Sequence, residues 1–191
     1  PPIRHYLAKS EPLPRLENGV DVSFPLSRLA SSPSQRTHWE GVRNPAAGKT
    51  LRSMTVGDRV LFYHSNCKLP GVAGEVEVCT DPVPDECAFD PTHPYYDQRS
   101  KREEPKWFMP EVKYVKTFDH FVPLALLQHI AAQGCGDRLD YLTTQQLEAV
   151  GEMDLLKRGR LSVQNVSPTA YDAVVKMGDK GGWEGWKGKW N

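Results

Sequence analysis

The stretch VGDRVLFYHSNC, residues 56–67, decides how the chain folds. It opens with a turn signal, Gly57-Asp58, and continues as an aliphatic and aromatic run over residues 60–63. Such side chains pack well on a pleated surface, so the run predicts a β-strand. The strand ends in hydrogen-bonding side chains at His64, Ser65 and Asn66. A core strand with a polar end predicts the rim of a pocket or a solvated loop, and the neighbouring segments must decide between them.

Length and composition favour one soluble domain. The chain has 191 residues, of which 39% are hydrophobic and 25% charged, and its net charge is zero. A chain of this size buries a substantial core. No apolar run approaches the roughly 20 residues that span a bilayer, so no membrane segment is expected. We also expect no secretory signal peptide, and a monomer.

The cysteine pattern indicates no metal centre. The four cysteines contain no CxxC pair, and His64 three residues before Cys67 offers only two ligands. A zinc site takes three or four protein ligands. We therefore predict neither a metal nor another cofactor, and reduced thiols in an intracellular protein.

The zero net charge hides a segregated pattern. Residues 36–68 hold six basic side chains and two acidic ones, whereas residues 75–97 hold seven acidic side chains and no Lys or Arg. A second basic cluster occupies residues 157–160. This pattern argues against a general nucleic-acid coat but permits one basic face that meets phosphates.

The remaining patterns predict short strands with helices between them. Helix starts are indicated near Pro25, at Asn44-Pro45, at Pro123, at the capping box of Thr143 and at Ser167-Pro168. Strands are predicted over residues 3–8, 60–63, 72–78, 107–115 with a kink at Pro110, and 161–164, the second and third forming a hairpin. Together they predict an α+β fold, a small mixed β-barrel with helices packed around it.

One domain is predicted over residues 1–177. The segment 178–191 is rich in Gly, Trp and Lys and is predicted to be a flexible tail. Its tryptophans could pack on the domain or contact a partner, and the pattern favours neither.

Several polar groups adjoin the ends of predicted elements. Lys9 and Ser10 follow the first strand, as His64 and Ser65 follow the central one. Arg43 precedes the helix start at Asn44-Pro45, and the free N–H groups of such a start suit an anion. Trp39 lies just before this helix, where it could be an ordinary core residue or face a ligand.

The motifs together resemble the EVE domain, a branch of the PUA-like superfamily, and are close to the thymocyte nuclear protein family. The resembling segments cover most of the chain to about residue 177 and are YLAKSEP (6–12), WEGVRN (39–44), VLFYHSNC (60–67), GVAG (71–74), FDP (89–91) with YYD (95–97), and RGRLSVQ (158–164).

The resemblance implies a PUA-like β-barrel whose pocket takes a nucleobase, in a nuclear protein that reads 5-methylcytosine or an oxidised form. DNA is favoured over RNA as the partner. Reading a base needs an aromatic face, polar groups and cations for its phosphates. The pocket residues implied are Lys9, Ser10, Trp39 as stacking wall, Val42, Arg43, Asn44, Tyr63, His64 and Ser65. The phosphate contacts predicted from the basic clusters are Lys49, Lys157, Arg158 and Arg160.

Two other classes of function stay open on the residues alone. Cys67 and His64 could form a nucleophile and base in an enzyme that acts on a nucleotide or peptide. The Pro- and Tyr-rich segment 81–110 could bind a peptide. No phosphate-binding glycine loop and no oxyanion motif occurs, so a non-catalytic nucleic-acid-binding module is the favoured hypothesis.

Overall fold

A computed structural model describes all 191 residues. At its centre lies a mixed six-stranded sheet that curls into a half-barrel, with two small two-stranded sheets beside it. The ten strands are β1 (His5–Ser10), β2 (Leu16–Glu17), β3 (Val20–Asp21), β4 (Arg36–His38), β5 (Arg59–His64), β6 (Gly71–Val78), β7 (Val83–Pro84), β8 (Phe108–Met109), β9 (Glu111–Pro123) and β10 (Val163–Asn165). The central strand order is β10-β1-β5-β6-β9-β4, so the predicted α+β class is confirmed.

Six α-helices surround the sheet, and their side-chain caps explain where three of them begin. Asn44 accepts a hydrogen bond from Ala47 N, Thr143 forms the predicted capping box with Gln146, and Ser167 caps the last helix. No helix is both long and apolar enough to cross a bilayer. The helices are α1 (Leu26–Ser31), α2 (Pro45–Arg52), α3 (Leu124–Gln133), α4 (Thr144–Gly151), α5 (Asp154–Lys157) and α6 (Pro168–Lys180).

The stretch over residues 56–67 contains β5, a central strand. It pairs in parallel with β1 and antiparallel with β6, which confirms the predicted hairpin. β1 in turn pairs antiparallel with β10 on its other side. The N-terminal strand is therefore held between the middle and the C-terminal part of the chain.

Helices cover both faces of the sheet, and each strand contributes to both cores because its side chains alternate between the faces. Val60 and Phe62 pack in one core with α1 and α2. Leu61 and Tyr63 pack in a second core with α3, α4 and α6. Apolar residues at four consecutive positions are what a strand covered on both faces requires.

Some elements were not predicted. β9 continues to Pro123, well past residue 115. The ribbon of β2 and β3 turns at Asn18 and Gly19, whose φ angles of 49° and 79° suit an Asn-Gly hairpin turn. Its strands have two residues each, too few for an alternating pattern to be visible in the sequence.

The last residues lie against the second core. Residues 178–180 complete α6, so the predicted domain end at 177 falls inside a helix. Trp183 and Trp190 are buried in the core beneath α3 and α6, and Trp186 packs on them. Of the two positions that the sequence allowed for the tail tryptophans, the structure has them on the domain.

Candidate functional site

A cleft of about 640 Å³ opens where β1 and β5 end. The two strands are parallel, so Ser10 pairs with His64 at the same edge of the sheet. The β2–β3 ribbon and the segment before α2 form further walls. A cleft of this volume accepts a small molecule or a single nucleotide unit.

The structure brings seven predicted residues to this cleft. Basic side chains outnumber acidic ones on its walls, which hold Lys9, Arg15, Arg28, Arg43 and Arg160 against Glu11, Asp21 and Glu40. This excess favours an anionic ligand. The seven predicted residues are Lys9, Ser10, Trp39, Val42, Arg43, Ser65 and Arg160.

The other three predicted pocket residues lie outside the cleft wall. Tyr63 is buried in the second core, because alternation turns it away from the face that carries Phe62. Asn44 uses its side-chain oxygen to cap α2. His64 accepts a hydrogen bond from Leu26 N through Nε2 at 3.1 Å, so it anchors α1.

The predicted phosphate contacts are spread over two surfaces. Arg160 lines the cleft. Lys49 is exposed on α2, and neither it nor Arg158 has a carboxylate partner. Lys157 forms an ion pair with Glu152 at 2.5 Å. This pairing weakens the electrostatic attraction of Lys157 for a phosphate.

The polar groups of the rim are held by the chain itself. Ser10 donates a hydrogen bond to Phe24 O at 2.6 Å, and Lys9 donates to Gly159 O. Burial lowers the pKa of Lys9. These contacts tie two segments distant in sequence to the end of β1, and all four residues line the cleft.

Arg43 is fixed by a buried carboxylate. Asp85 is 1% exposed, and its Oδ2 accepts from Arg43 Nη1 and from Gly41 N, both at 2.9 Å. Arg43 Nε donates to Tyr95 O at 2.9 Å. Its Nη2 is buried and has no partner within the protein. A buried donor without a partner costs free energy, and a ligand in the cleft could reach this atom only if the side chains that cover it moved.

Trp39 lies between the cleft and the first core. It lines the cleft but is only 9% exposed, and it meets Phe62 edge to face with 5.5 Å between ring centroids. It therefore offers a bound group a limited apolar contact area rather than a whole ring face. Of the two alternatives drawn from the sequence, the structure shows the core residue, and contact with a ligand stays a prediction.

The proposed nucleophile and base do not meet. No hydrogen bond joins Cys67 to His64, and His64 Nε2 already accepts from Leu26 N. Burial lowers the pKa of His64 and raises that of Cys67. Both shifts favour uncharged side chains, which is unfavourable for a thiolate–imidazolium pair.

A different group of potential ligands lies at the rim. One ligand atom each from Glu40, Cys87 and His93 lies within 4.8 Å of the others. Cys87 Sγ donates to Glu40 Oε2 at 2.9 Å, and His93 Nδ1 accepts from Tyr95 N at 3.1 Å. A cation bound by Cys87 Sγ would have to replace the thiol proton that Glu40 accepts. The cysteine spacing in the sequence gave no sign of this group.

The Cys87 thiol should react slowly. Burial, with the carboxylate of Glu40 beside it, raises the pKa of this thiol, so little thiolate exists at pH 8. Glu40→Gln removes the negative charge, lowers the pKa and should speed alkylation several-fold. The rate is measured by iodoacetamide labelling and peptide mass spectrometry, with Cys67 in the same sample as control. An unchanged Cys87 rate would contradict the assigned contact.

Some cleft residues were not singled out from the sequence. Arg15 comes from a segment without a predicted element and Arg28 from the helix predicted near Pro25, whereas Tyr95 was noted only as part of the resembling segment YYD. Asp85 was counted only as one of seven acids. The Asn18-Gly19 pair could have revealed the ribbon that brings Arg15 to the site.

Comparison with known proteins gives a consistent result. The EVE domain family model matches residues 4–177. Thymocyte nuclear protein 1 of Homo sapiens is 40% identical over 178 residues, which cover 92% of this chain and 74% of that protein. The Gallus gallus protein of the same name is 41% identical over 175 residues, covering 91% and 68%.

Solved structures resemble the whole fold. Human THYN1 in complex with 5-methylcytosine-containing DNA matches with a TM-score of 0.80 at 38% identity, covering 93% of this chain and 98% of that one. The DUF55 domain of human thymocyte nuclear protein 1 gives 0.80 at 39% identity, covering 92% and 99%. A hypothetical protein from Leishmania major gives 0.73 at 34% identity, covering 93% and 95%.

Proposed function

The chain belongs to the EVE domain family, and from this premise we propose that it is a non-catalytic nuclear module that binds DNA and reads a modified base. The base, 5-methylcytosine or an oxidised form, would enter the cleft at the ends of β1 and β5. The similar human protein is known in complex with DNA that contains 5-methylcytosine.

One observation carries the proposal. The cleft combines a volume large enough for a nucleotide unit, an apolar contact at Trp39 and an excess of cations. Base recognition inside a protein needs these three features together. An enzyme of the Cys–His type would instead need a free imidazole, and that of His64 is engaged.

Arg43 is the residue best placed to recognise a base edge. Asp85 and Tyr95 fix its guanidinium, and Nη2 remains without a partner. Cytosine and its 5-modified forms present acceptors on their pairing edge once they leave a duplex. Because Nη2 is buried in the protein without a ligand, we propose that the side chains covering it move when a base binds and that Nη2 then donates to one of these acceptors.

The phosphates would meet the basic side chains that lack a carboxylate partner. Arg160 and Lys9 lie on the cleft wall, with Arg158 close by in sequence. Contacts of this type make affinity fall as salt rises. A peptide held by aromatic contacts would show a much smaller dependence, so a salt series separates the two classes.

Titration of matched oligonucleotides tests the proposal. One buried methyl contributes about 0.8 kcal/mol, so the protein should bind 5-methylcytosine DNA about fourfold more tightly than unmodified DNA. Fluorescence anisotropy with labelled strands measures both dissociation constants across a salt series. Equal affinity for every modified and unmodified base would refute base reading.

A further inference from the structure

The β2–β3 ribbon carries an unusual surface beside the cleft. Leu16 is 70% exposed and Val20 49% exposed, and Leu13, just before the ribbon, is exposed as well. Single exposed aliphatic side chains are common. Here they gather on one short hairpin, and Val20 also lines the cleft wall.

The ribbon presents an apolar side chain on each of its two faces. Leu16 pairs with Asp21, and Glu17 pairs with Val20. Directly paired residues share a face and neighbours along a strand alternate. Leu16 and Val20 therefore lie on opposite faces of the hairpin, close to its Asn18-Gly19 turn.

Hydrogen bonds hold the hairpin in place. Asp21 Oδ1 accepts from Arg15 N at 3.1 Å and from Ser23 N at 3.0 Å. These hydrogen bonds lower the pKa of Asp21, so the carboxylate is charged at neutral pH. Phe24 N donates to Glu11 O at the base of the ribbon. The apolar side chains are thus presented by a hairpin that is anchored to the cleft wall.

The one basic side chain beside the hairpin strands is already paired. Arg15 forms ion pairs with Glu11 at 2.6 Å and Glu17 at 3.2 Å. The hairpin therefore provides no free cation for a phosphate, whereas Arg28 and Arg160 on the cleft wall have no carboxylate partner. The exposed aliphatic side chains of the hairpin therefore suit the apolar faces of DNA bases rather than the phosphates.

We propose that the β2–β3 hairpin fills the gap left in a DNA duplex when a base moves into the cleft. The gap is bounded by a base pair on each side, which matches a hairpin with one aliphatic side chain on each face. Apolar side chains inserted at a base step compensate for lost stacking. This inference rests on the proposed function, since it requires that the cleft takes a base.

The test compares duplex and single-stranded DNA. The hairpin variant is Leu16→Ser, which leaves Val20 on the cleft wall unchanged. The matched control is Val56→Ser, because this residue is also an exposed aliphatic and precedes the start of β5, at the far end of that strand from the cleft. Each protein is titrated with a duplex that contains one 5-methylcytosine and with the single strand of the same sequence.

The hairpin variant should bind the duplex about tenfold more weakly than the wild type. Its affinity for the single strand should stay within about twofold, because a single strand has no stack to fill. The control variant should match the wild type on both. Equal thermal unfolding midpoints for the two variants would show that folding is intact.

Other results overturn the inference. An unchanged duplex affinity would exclude the hairpin from the duplex, as expected if it contacts a protein partner instead. An equal loss on duplex and single strand would make it a general strand contact. A wild-type protein that binds neither DNA would refute the proposed function itself, and this result does not depend on the variants.

Discussion

Trp39→Ala is expected to remove the preference for a modified base and to destabilise the domain. Trp39 is 9% exposed and packs on Phe62. Truncating a buried tryptophan lowers the free energy of unfolding by about 3–5 kcal/mol. Loss of the aromatic contact to a base costs about 1–3 kcal/mol of binding. Because so little of the ring is exposed, we expect the lower end, a loss of about fivefold in affinity.

Trp39→Phe separates the two effects. It keeps an aromatic ring beside Phe62, so the domain should stay folded while the preference for 5-methylcytosine falls. Trp183→Phe is the matched control, since Trp183 is equally buried but lies in the second core. Chemical denaturation and oligonucleotide titration are run on both. A full preference in Trp39→Phe, or a loss in Trp183→Phe, would move the base contact elsewhere.

Asp85→Ala should be the most damaging polar substitution. The carboxylate accepts hydrogen bonds from Gly41 N, Cys87 N and Arg43. Its removal leaves two backbone N–H groups and a partly buried guanidinium without their acceptor. Breaking such a pair costs about 3–5 kcal/mol. The segment 41–43 would also lose its position on the cleft wall, so DNA affinity should fall by at least about tenfold.

Asp58→Ala is the control for this substitution. Asp58 is also 1% exposed and also accepts backbone hydrogen bonds, from Arg4 N and Thr55 N. It lies at the start of β5, at the opposite end of the strand from the cleft. Denaturation should show a loss of stability in both variants, whereas titration below their unfolding range should show weaker DNA binding only for Asp85→Ala. Similar affinities in the two variants would contradict the role of Asp85 in the cleft.

The sequence predicted elements wherever the determining signal is local. Helix caps at Asn44, Thr143 and Ser167 depend on side chains within three residues of the cap, and the β5–β6 hairpin depends on two adjacent runs. The β2–β3 ribbon was missed because each of its strands has only two residues.

The site was harder to predict because it depends on pairing between distant segments. Lys9, Ser10, Trp39 and Arg43 all line the cleft, since strand ends and a helix start converge there, and their contact with a base stays a prediction. Tyr63 does not line the cleft, because its direction follows from which layer covers each side of the sheet. Asp85 acts through hydrogen bonds to residues more than 40 positions away, and nothing in the Pro-rich segment around it indicates those partners.

The pairing of β1 with β10 constrains the order of events during synthesis. Tyr6 pairs with Asn165, and Lys9 donates to Gly159 O. The first strand therefore cannot complete its hydrogen bonds until residues near the end of the chain have been synthesised. Until these leave the ribosome, β1 has an open edge, which is a template for aggregation, and closing such a long loop is slow. The cleft also lacks Arg160 until then. Nascent or prematurely ended chains should therefore depend on chaperones and be unable to bind DNA.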